Sequence, residues 1–157
     1  MKQLPIREKV AAYITQEDNL LVFTERGFTE IGQQIPSGTV ESSENLEEAV
    51  LREVFEESGL RNLRVNKYLG TNDIDQRKYG QERIHRIHYF HLMCKESTPE
   101  AWSHEEKDPS ERDENTPERI IFDFLWVKLP EGATGLKEGF DTFLSEVTNL
   151  VISPNHT

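Results

Sequence analysis

Residues Gly38 to Leu60 read GTVESSENLEEAVLREVFEESGL, and the inner part of this stretch has the marks of an amphipathic helix from about Glu44 to Ser58. Ser43 stands where an N-cap is expected. Glu44, Glu47 and Glu48 favour the positive end of the helix dipole, and Gly59 sits where a helix terminates. At about 100° per residue, Glu53, Glu56 and Glu57 fan across one side, and the small Ala49 lies in the same arc. Leu51 and Phe55 oppose them and Val50 and Val54 lie on a flank, so a helix packed along two surfaces is expected. Like charges this close repel unless cations offset them, and clustered hard oxygen ligands suit Mg²⁺ or Mn²⁺. An ordinary solvated Glu-rich face has the same composition, so the carboxylates by themselves leave both readings open.

Outward from this helix, β-rich runs appear at Lys9 to Thr15, Leu20 to Arg26, Val65 to Thr71, Ile84 to Cys94 and Ile120 to Lys128. The short polar link Gln16 to Asn19 predicts a hairpin between the first two. A second helix is expected from about Lys137 to Leu150, with Phe140, Phe143, Leu144 and Val147 on one face. Strands interspersed with two helices predict an α/β sandwich around a mixed sheet. With no repeat and no linker, residues 1–157 read as one domain. The acidic stretch 96–118, with Pro99, Pro109 and Pro117, reads as a loop or insertion.

The charge balance narrows the partners. Eighteen Lys and Arg against 29 Asp and Glu leave a net charge of −11, which argues against binding a nucleic-acid polymer. A small anionic substrate is compatible with it when metal ions bridge substrate and carboxylates. No apolar run reaches the length of a membrane span, the N-terminus lacks the apolar core of a secretory signal, and a single cysteine, Cys94, gives no disulfide framework. A cytoplasmic protein is expected.

The residues around the glutamates change the weighing. Gly38, Glu44, Arg52, Glu53, Val54, Glu56, Glu57, Gly59 and Leu60 match every specified position of G-x5-E-x7-R-E-U-x-E-E-x-G-U, with Val54 and Leu60 as the aliphatic U residues. Average residue usage gives a chance match on the order of one in ten million per chain. This segment resembles the signature of the Nudix hydrolases, the MutT-like pyrophosphohydrolases. The resemblance implies an α/β/α sandwich with a central mixed sheet and metal-assisted attack of water on a diphosphate. Carried over position by position, it implies a metal set of Glu53, Glu56, Glu57 and the Gly38 carbonyl, with Mg²⁺ as cofactor and Mn²⁺ as substitute. It makes Arg52, Glu53 and Glu56 the catalytic group, with Arg52 holding the glutamates, and gives Glu44 a supporting role.

The same resemblance implies a small nucleotide as partner: a nucleoside triphosphate, a dinucleoside polyphosphate or a nucleotide sugar. The general base is Glu53 or Glu56, or an acid of the downstream stretch such as Glu105, Glu106, Glu111 or Glu114. Arg26 and Phe28 stand where such proteins often line the nucleotide pocket. Tyr79 stands near the tyrosine that dinucleoside-polyphosphate members often carry downstream. A non-catalytic nucleotide-binding module of the same fold is the alternative function. Prenyl-diphosphate isomerisation, a third, needs Cys, His and Glu residues to which Cys94 adds little. Exposed sheet edges in such folds allow a homodimer.

Other side chains invite blander readings. In a strand, His85 and His91 share one face and His88 the other, so the three do not converge on a metal. Cys94, Phe124 and Trp126 read as core, and Trp102, among polar residues, as a surface ring or, alternatively, one that stacks on a base.

Overall fold

Alternation along the first strand, β1 (Ile6–Gln16), sets the layers. Val10, Ala12 and Ile14 point to one side and Ala11 and Tyr13 to the other, and all five are fully buried. A strand apolar on both faces needs a cover on each. The computed structural model describes residues 3–107 and 114–152 and supplies both covers. Helix α1 (Leu46–Ser58) sits over the first face, packing Ala49, Val50 and Val54 there, and helix α2 (Leu144–Ile152) sits over the second with Val147. The α/β/α sandwich expected from the sequence is the observed architecture.

The remaining strands are β2 (Asn19–Glu25), β3 (Ser37–Thr39), β4 (Leu63–Asp75), β5 (Ile84–Cys94), β6 (Ala101–Glu106) and β7 (Ile120–Lys128). Among the described residues they form one sheet in the order β4-β5-β1-β2-β7-β6, with β3 also on β1. β1 and β5 run parallel from Ile6–Ile84 to Thr15–Met93, and the other pairs are antiparallel, so the sheet is mixed. The expected β1–β2 hairpin is present but pairs only at Thr15–Leu20 and Gln16–Asn19. Beyond that the strands part, and β3 takes the vacated edge of β1 from Lys9 to Ala11. This split brings the chain entering α1 against the middle of the sheet.

Five expectations need correction. The cap of α1 is Asn45, not Ser43: Asn45 Oδ1 accepts from the Glu48 N–H at 2.8 Å and Glu48 returns the bond to the Asn45 N–H at 3.1 Å. This reciprocal box satisfies two orphan donors, while Ser43 sits at φ 73° in the turn before it. Helix α2 begins at Leu144, because Gly139, at φ 90°, interrupts the predicted start. There the Gly139 and Phe140 carbonyls accept from the hydroxyls of Tyr89 and Tyr13, both at 2.6 Å. The face expected of this segment is nevertheless the packed one, with Phe140, Phe143, Leu144 and Val147 all in the second core.

Part of the acidic stretch 96–118 is strand β6, paired with β7 from Ala101–Leu125 to Glu106–Ile120. Its polar residues hid it, since an edge strand is half solvated. Trp102 is correspondingly no surface ring: it stacks on Phe124 at 5.3 Å, and its indole N–H donates to the Ser58 carbonyl at 3.0 Å. Finally, the second packed surface predicted for α1 is unused in this chain. Leu51 and Phe55 are exposed, and the Arg61 guanidinium covers the Phe55 ring at 4.5 Å. Cys94 and Phe124 are buried as expected, and Trp126 is partly so. No helix among the described residues is long and apolar enough to cross a membrane.

Candidate active site

Helix α1 presents its glutamates to the point where β3 crosses β1, and Arg52 organises them. Its guanidinium donates through Nε and Nη2 to the two oxygens of Glu44, at 2.6 and 2.9 Å. Nη2 also reaches the Thr39 carbonyl at 2.9 Å, and Nη1 donates to Glu53 Oε1 at 2.8 Å and Glu56 Oε2 at 3.2 Å. A rigid fork with several donors is what such an arrangement requires, and a lysine cannot reproduce it. The bond to Arg52 holds the Glu44 carboxyl below the usual carboxylate range.

Glu53 and Glu57 are buried carboxylates, 5% and 9% exposed. Burial pushes Glu53 up to about 7 despite Arg52, with Glu56 and Glu106 adding repulsion. Burial likewise holds Glu57 well above the ordinary range, although its Oε1 accepts from the Ser37 N–H at 2.8 Å. Gly38 lies directly against the Glu53 carboxyl, and a Cβ there would fall on top of it. The glycine is therefore needed for close approach and not for an unusual φ. At the other end Gly59, at φ 83°, lets the chain leave the helix.

Two further groups join from outside the helix. Glu106, at the end of β6 and only 6% exposed, acts electrostatically on both Glu53 and Glu57. Lys9 of β1 feels Glu57 and Glu53, although burial is the larger effect and lowers its proton affinity. Among the described residues no three His, Cys, Asp or Glu side chains are already gathered around one point, since Arg52 draws Glu53 and Glu56 while Ser37 draws Glu57. The donor set is nonetheless one of hard oxygens with an excess of negative charge. Beside it Thr39 Oγ1 is buried with no hydrogen-bond partner.

The acids lie between two depressions. One is an open trough bordered by Phe55, Glu56, His104 and Glu106. The other is a cleft of about 300 Å³ on the opposite face of the sheet, lined by Lys9, Ser37, Tyr79, His85, Lys137 and Phe140 among others. That volume lies at the lower end of small-molecule sites. Ser37 belongs to both worlds: it lines the cleft and its N–H binds Glu57.

Of the residues singled out from the sequence, Gly38, Glu44, Arg52, Glu53, Glu56 and Glu57 are thus brought together. Tyr79 lines the cleft, its hydroxyl donating to Glu138 at 2.6 Å. Arg26 and Phe28 are not among the cleft residues; Arg26 is engaged by Asp123 at 2.6 Å and by Ser103 at 2.9 Å. Glu105 is paired with Arg119, Glu114 is exposed, and Glu111 lies outside the described residues. His88 bonds Glu8 and Tyr68, away from His85 and His91.

Lys9, His85, Lys137 and Glu106 were not singled out together by sequence reasoning. Glu106 stood among the downstream acids and His85 among the strand histidines; for Lys9 the available signal was a lysine heading an otherwise apolar run on β1.

A family model described as NUDIX domain matches residues 5–143. Among solved structures the chain is similar to a UDP-X diphosphatase at 18% identity and TM-score 0.61, covering 97% of this chain but 64% of that one, less than two thirds of its length. It is also similar to the E. coli ORF135 protein at 19% identity and TM-score 0.59, over 97% and 96% of the two chains. A MutT Nudix hydrolase from Burkholderia pseudomallei matches at 21% identity and TM-score 0.56, over 93% and 99%. These likenesses are of fold. A comparison with curated proteins finds no match.

Proposed function

The chain belongs to the Nudix hydrolase family, and on that premise we propose that it hydrolyses a phosphate–phosphate bond in a nucleoside diphosphate joined to a further group. The observation that carries this reading is the continuity of the acids with the cleft: Glu57 binds the backbone of Ser37, and Ser37 lines the cleft wall. A substrate lying with its organic part in the cleft brings its diphosphate to Glu53, Glu56 and Glu57.

The Gly38 carbonyl, Glu53, Glu56 and Glu57 would hold Mg²⁺, with Mn²⁺ as substitute, and the bound ion would supply neutralisation of the phosphates and acidification of the attacking water. Arg52, locked by Glu44, holds Glu53 and Glu56 beside one another on α1 and limits the positions their carboxylates can take. Glu53 and Glu106 are the two carboxylates we assign to accept the proton from water. Phe140 and Tyr79 give the organic part an apolar wall and a hydroxyl edge. A cytoplasmic setting fits a chain whose single cysteine forms no disulfide.

The test is a phosphate-release screen across nucleoside triphosphates, dinucleoside polyphosphates and nucleotide sugars, with Mg²⁺ or Mn²⁺ and with product identification. Metal-dependent turnover that is lost in both Glu56→Gln and Glu57→Gln, with melting temperatures retained, supports the proposal. Near-normal turnover in both variants sinks the site. Tight nucleotide binding with no turnover by the wild type would instead make the chain a nucleotide-binding module. Glu53→Gln and Glu106→Gln separate the two proton acceptors, since only loss of the acting base removes the acidic limb of the pH–rate profile.

A further inference from the structure

The cleft combines apolar walls with two polar side chains that the fold leaves uncommitted. Ile74, Ile87 and Phe140 line it, and Ile87 and Phe140 are buried. In the parallel pairing of β1 with β5, Lys9 stands beside Ile87 and Arg7 beside His85, so Lys9 and His85 lie diagonally on one face of the sheet. Both line the cleft, and Lys9 is the foremost charge acting on His85.

Glu57 and Glu53 attract the Lys9 ammonium through space, but it hydrogen-bonds to neither. His85 Nε2 is buried with no hydrogen-bond partner, a cost that a ligand seated against it removes. Burial first and Lys9 second hold this imidazole at about 4, so at neutral pH it is uncharged. Arg7 and Arg83 act on it too, but each has a partner of its own. Glu138, exposed at the edge of the cleft, is taken by Tyr79 at 2.6 Å and by Lys78 at 2.9 Å.

The two uncommitted groups differ in what they tolerate. A neutral imidazole donates or accepts through Nε2 according to its tautomer, so it adapts to a ring N–H or to a bare ring nitrogen. A lysine ammonium only donates. Lys9 therefore decides between ligands: it satisfies a ring carbonyl and opposes an amino group, whose hydrogens meet its own. Uracil, thymine, guanine and hypoxanthine all place a carbonyl next to a ring N–H. With the oxygen on Lys9, that N–H donates to His85 Nε2. Cytosine and adenine carry an amino group in the carbonyl's place.

We infer that Lys9 and His85 make the cleft a pocket for a keto-bearing base, selecting nucleotides of uracil, thymine, guanine or hypoxanthine over those of cytosine and adenine. This deepens the proposed function and rests on it for what lies in the cleft.

Equilibrium binding by calorimetry in Mg²⁺ tests it on the wild-type protein. The probes are α,β-methylene diphosphates, whose carbon bridge cannot be hydrolysed. Two matched pairs differ only at the keto or amino edge: uridine against cytidine, and inosine against adenosine. In the tighter-binding pair the keto member is expected to bind at least about fivefold more tightly. Lys9→Met should bring that ratio near one, because the deciding donor is gone. His85→Phe should weaken the keto member at least about threefold. The shared diphosphate cancels in the ratio, and the wild-type ratio alone can overturn the inference whether or not either variant folds.

A smaller or reversed wild-type preference, one that survives Lys9→Met, a smaller loss in His85→Phe, or no binding by any of the four overturns the inference. A keto preference in a protein whose wild type hydrolyses nothing in the phosphate-release screen would sink the proposed reaction and keep the pocket. Turnover without that preference does the reverse.

Discussion

Each side chain at the acidic cluster is there for a reason of space or charge that a single substitution can expose. Gly38 is required because Glu53 occupies the volume a methyl group would take. Gly38→Ala should therefore displace the carboxylate and lower kcat about 100-fold, a typical consequence of misplacing a reactive group by about an ångström. Its melting temperature should move by only a few degrees, and steady-state kinetics beside a thermal melt checks both. Arg52→Lys keeps the charge but loses the fork that grips Glu44, Glu53 and Glu56 together. Turnover should drop while binding of the organic part persists, so kcat falls more than KM rises. The identities of these residues were legible in the sequence because helical spacing gathers Glu53, Glu56 and Glu57 locally. The Gly38–Glu53 contact was not, since it depends on β3 docking beside β1.

At the scale of elements, α1 is held at both ends by different devices. Asn45→Ala removes the capping box and should cost about 1 kcal/mol in chemical denaturation. Ser43→Ala, by contrast, should cost little, because Ser43 does not cap. The C-terminal end is tied to β6 by Trp102, whose ring rests on Phe124 and whose N–H binds Ser58. Trp102→Ala should destabilise by about 3 kcal/mol. It should also impair turnover, since β6 delivers Glu106 to the glutamates. Restoration of activity by Trp102→Phe with incomplete recovery of stability would fit a stacking role plus a lost hydrogen bond. The strands with apolar runs were readable from composition; β3 and β6 were not, because one is too short and the other too polar to show a period.

For the whole molecule, stability should depend on pH through His91, 2% exposed beneath α2's side of the sheet. Asn66 Nδ2 donates to its Nδ1 at 3.0 Å, which leaves Nε2–H to donate to Thr15 Oγ1 at 2.8 Å. Burial holds it at about 4, against about 6.5 in the unfolded chain. The unfolded state therefore takes up a proton first, and stability is lost as pH falls from 6.5 towards 4, by about 3 kcal/mol for this group. Denaturation midpoints across that window should show the margin of wild type over His91→Gln narrowing as pH falls; a constant margin would refute it.

A divalent metal held by the proposed set of acids should act on the molecule in the opposite sense. Two buried glutamates with repelling neighbours should make Mg²⁺ raise the melting temperature at neutral pH, and Glu57→Gln should reduce that rise. The sequence by itself determined the helix, the order of its glutamates, five of the strands, the opening hairpin and the family, because all of these are written in local periodicity and spacing. Only the tertiary structure decided that Glu106 joins the acids, that Arg26 goes to Asp123, and that Lys9, His85 and Lys137 share a cleft. Those neighbours meet through the parallel β1–β5 pairing and the return of the chain before α2. Such long-range register leaves no trace in the spacing of residues along the chain.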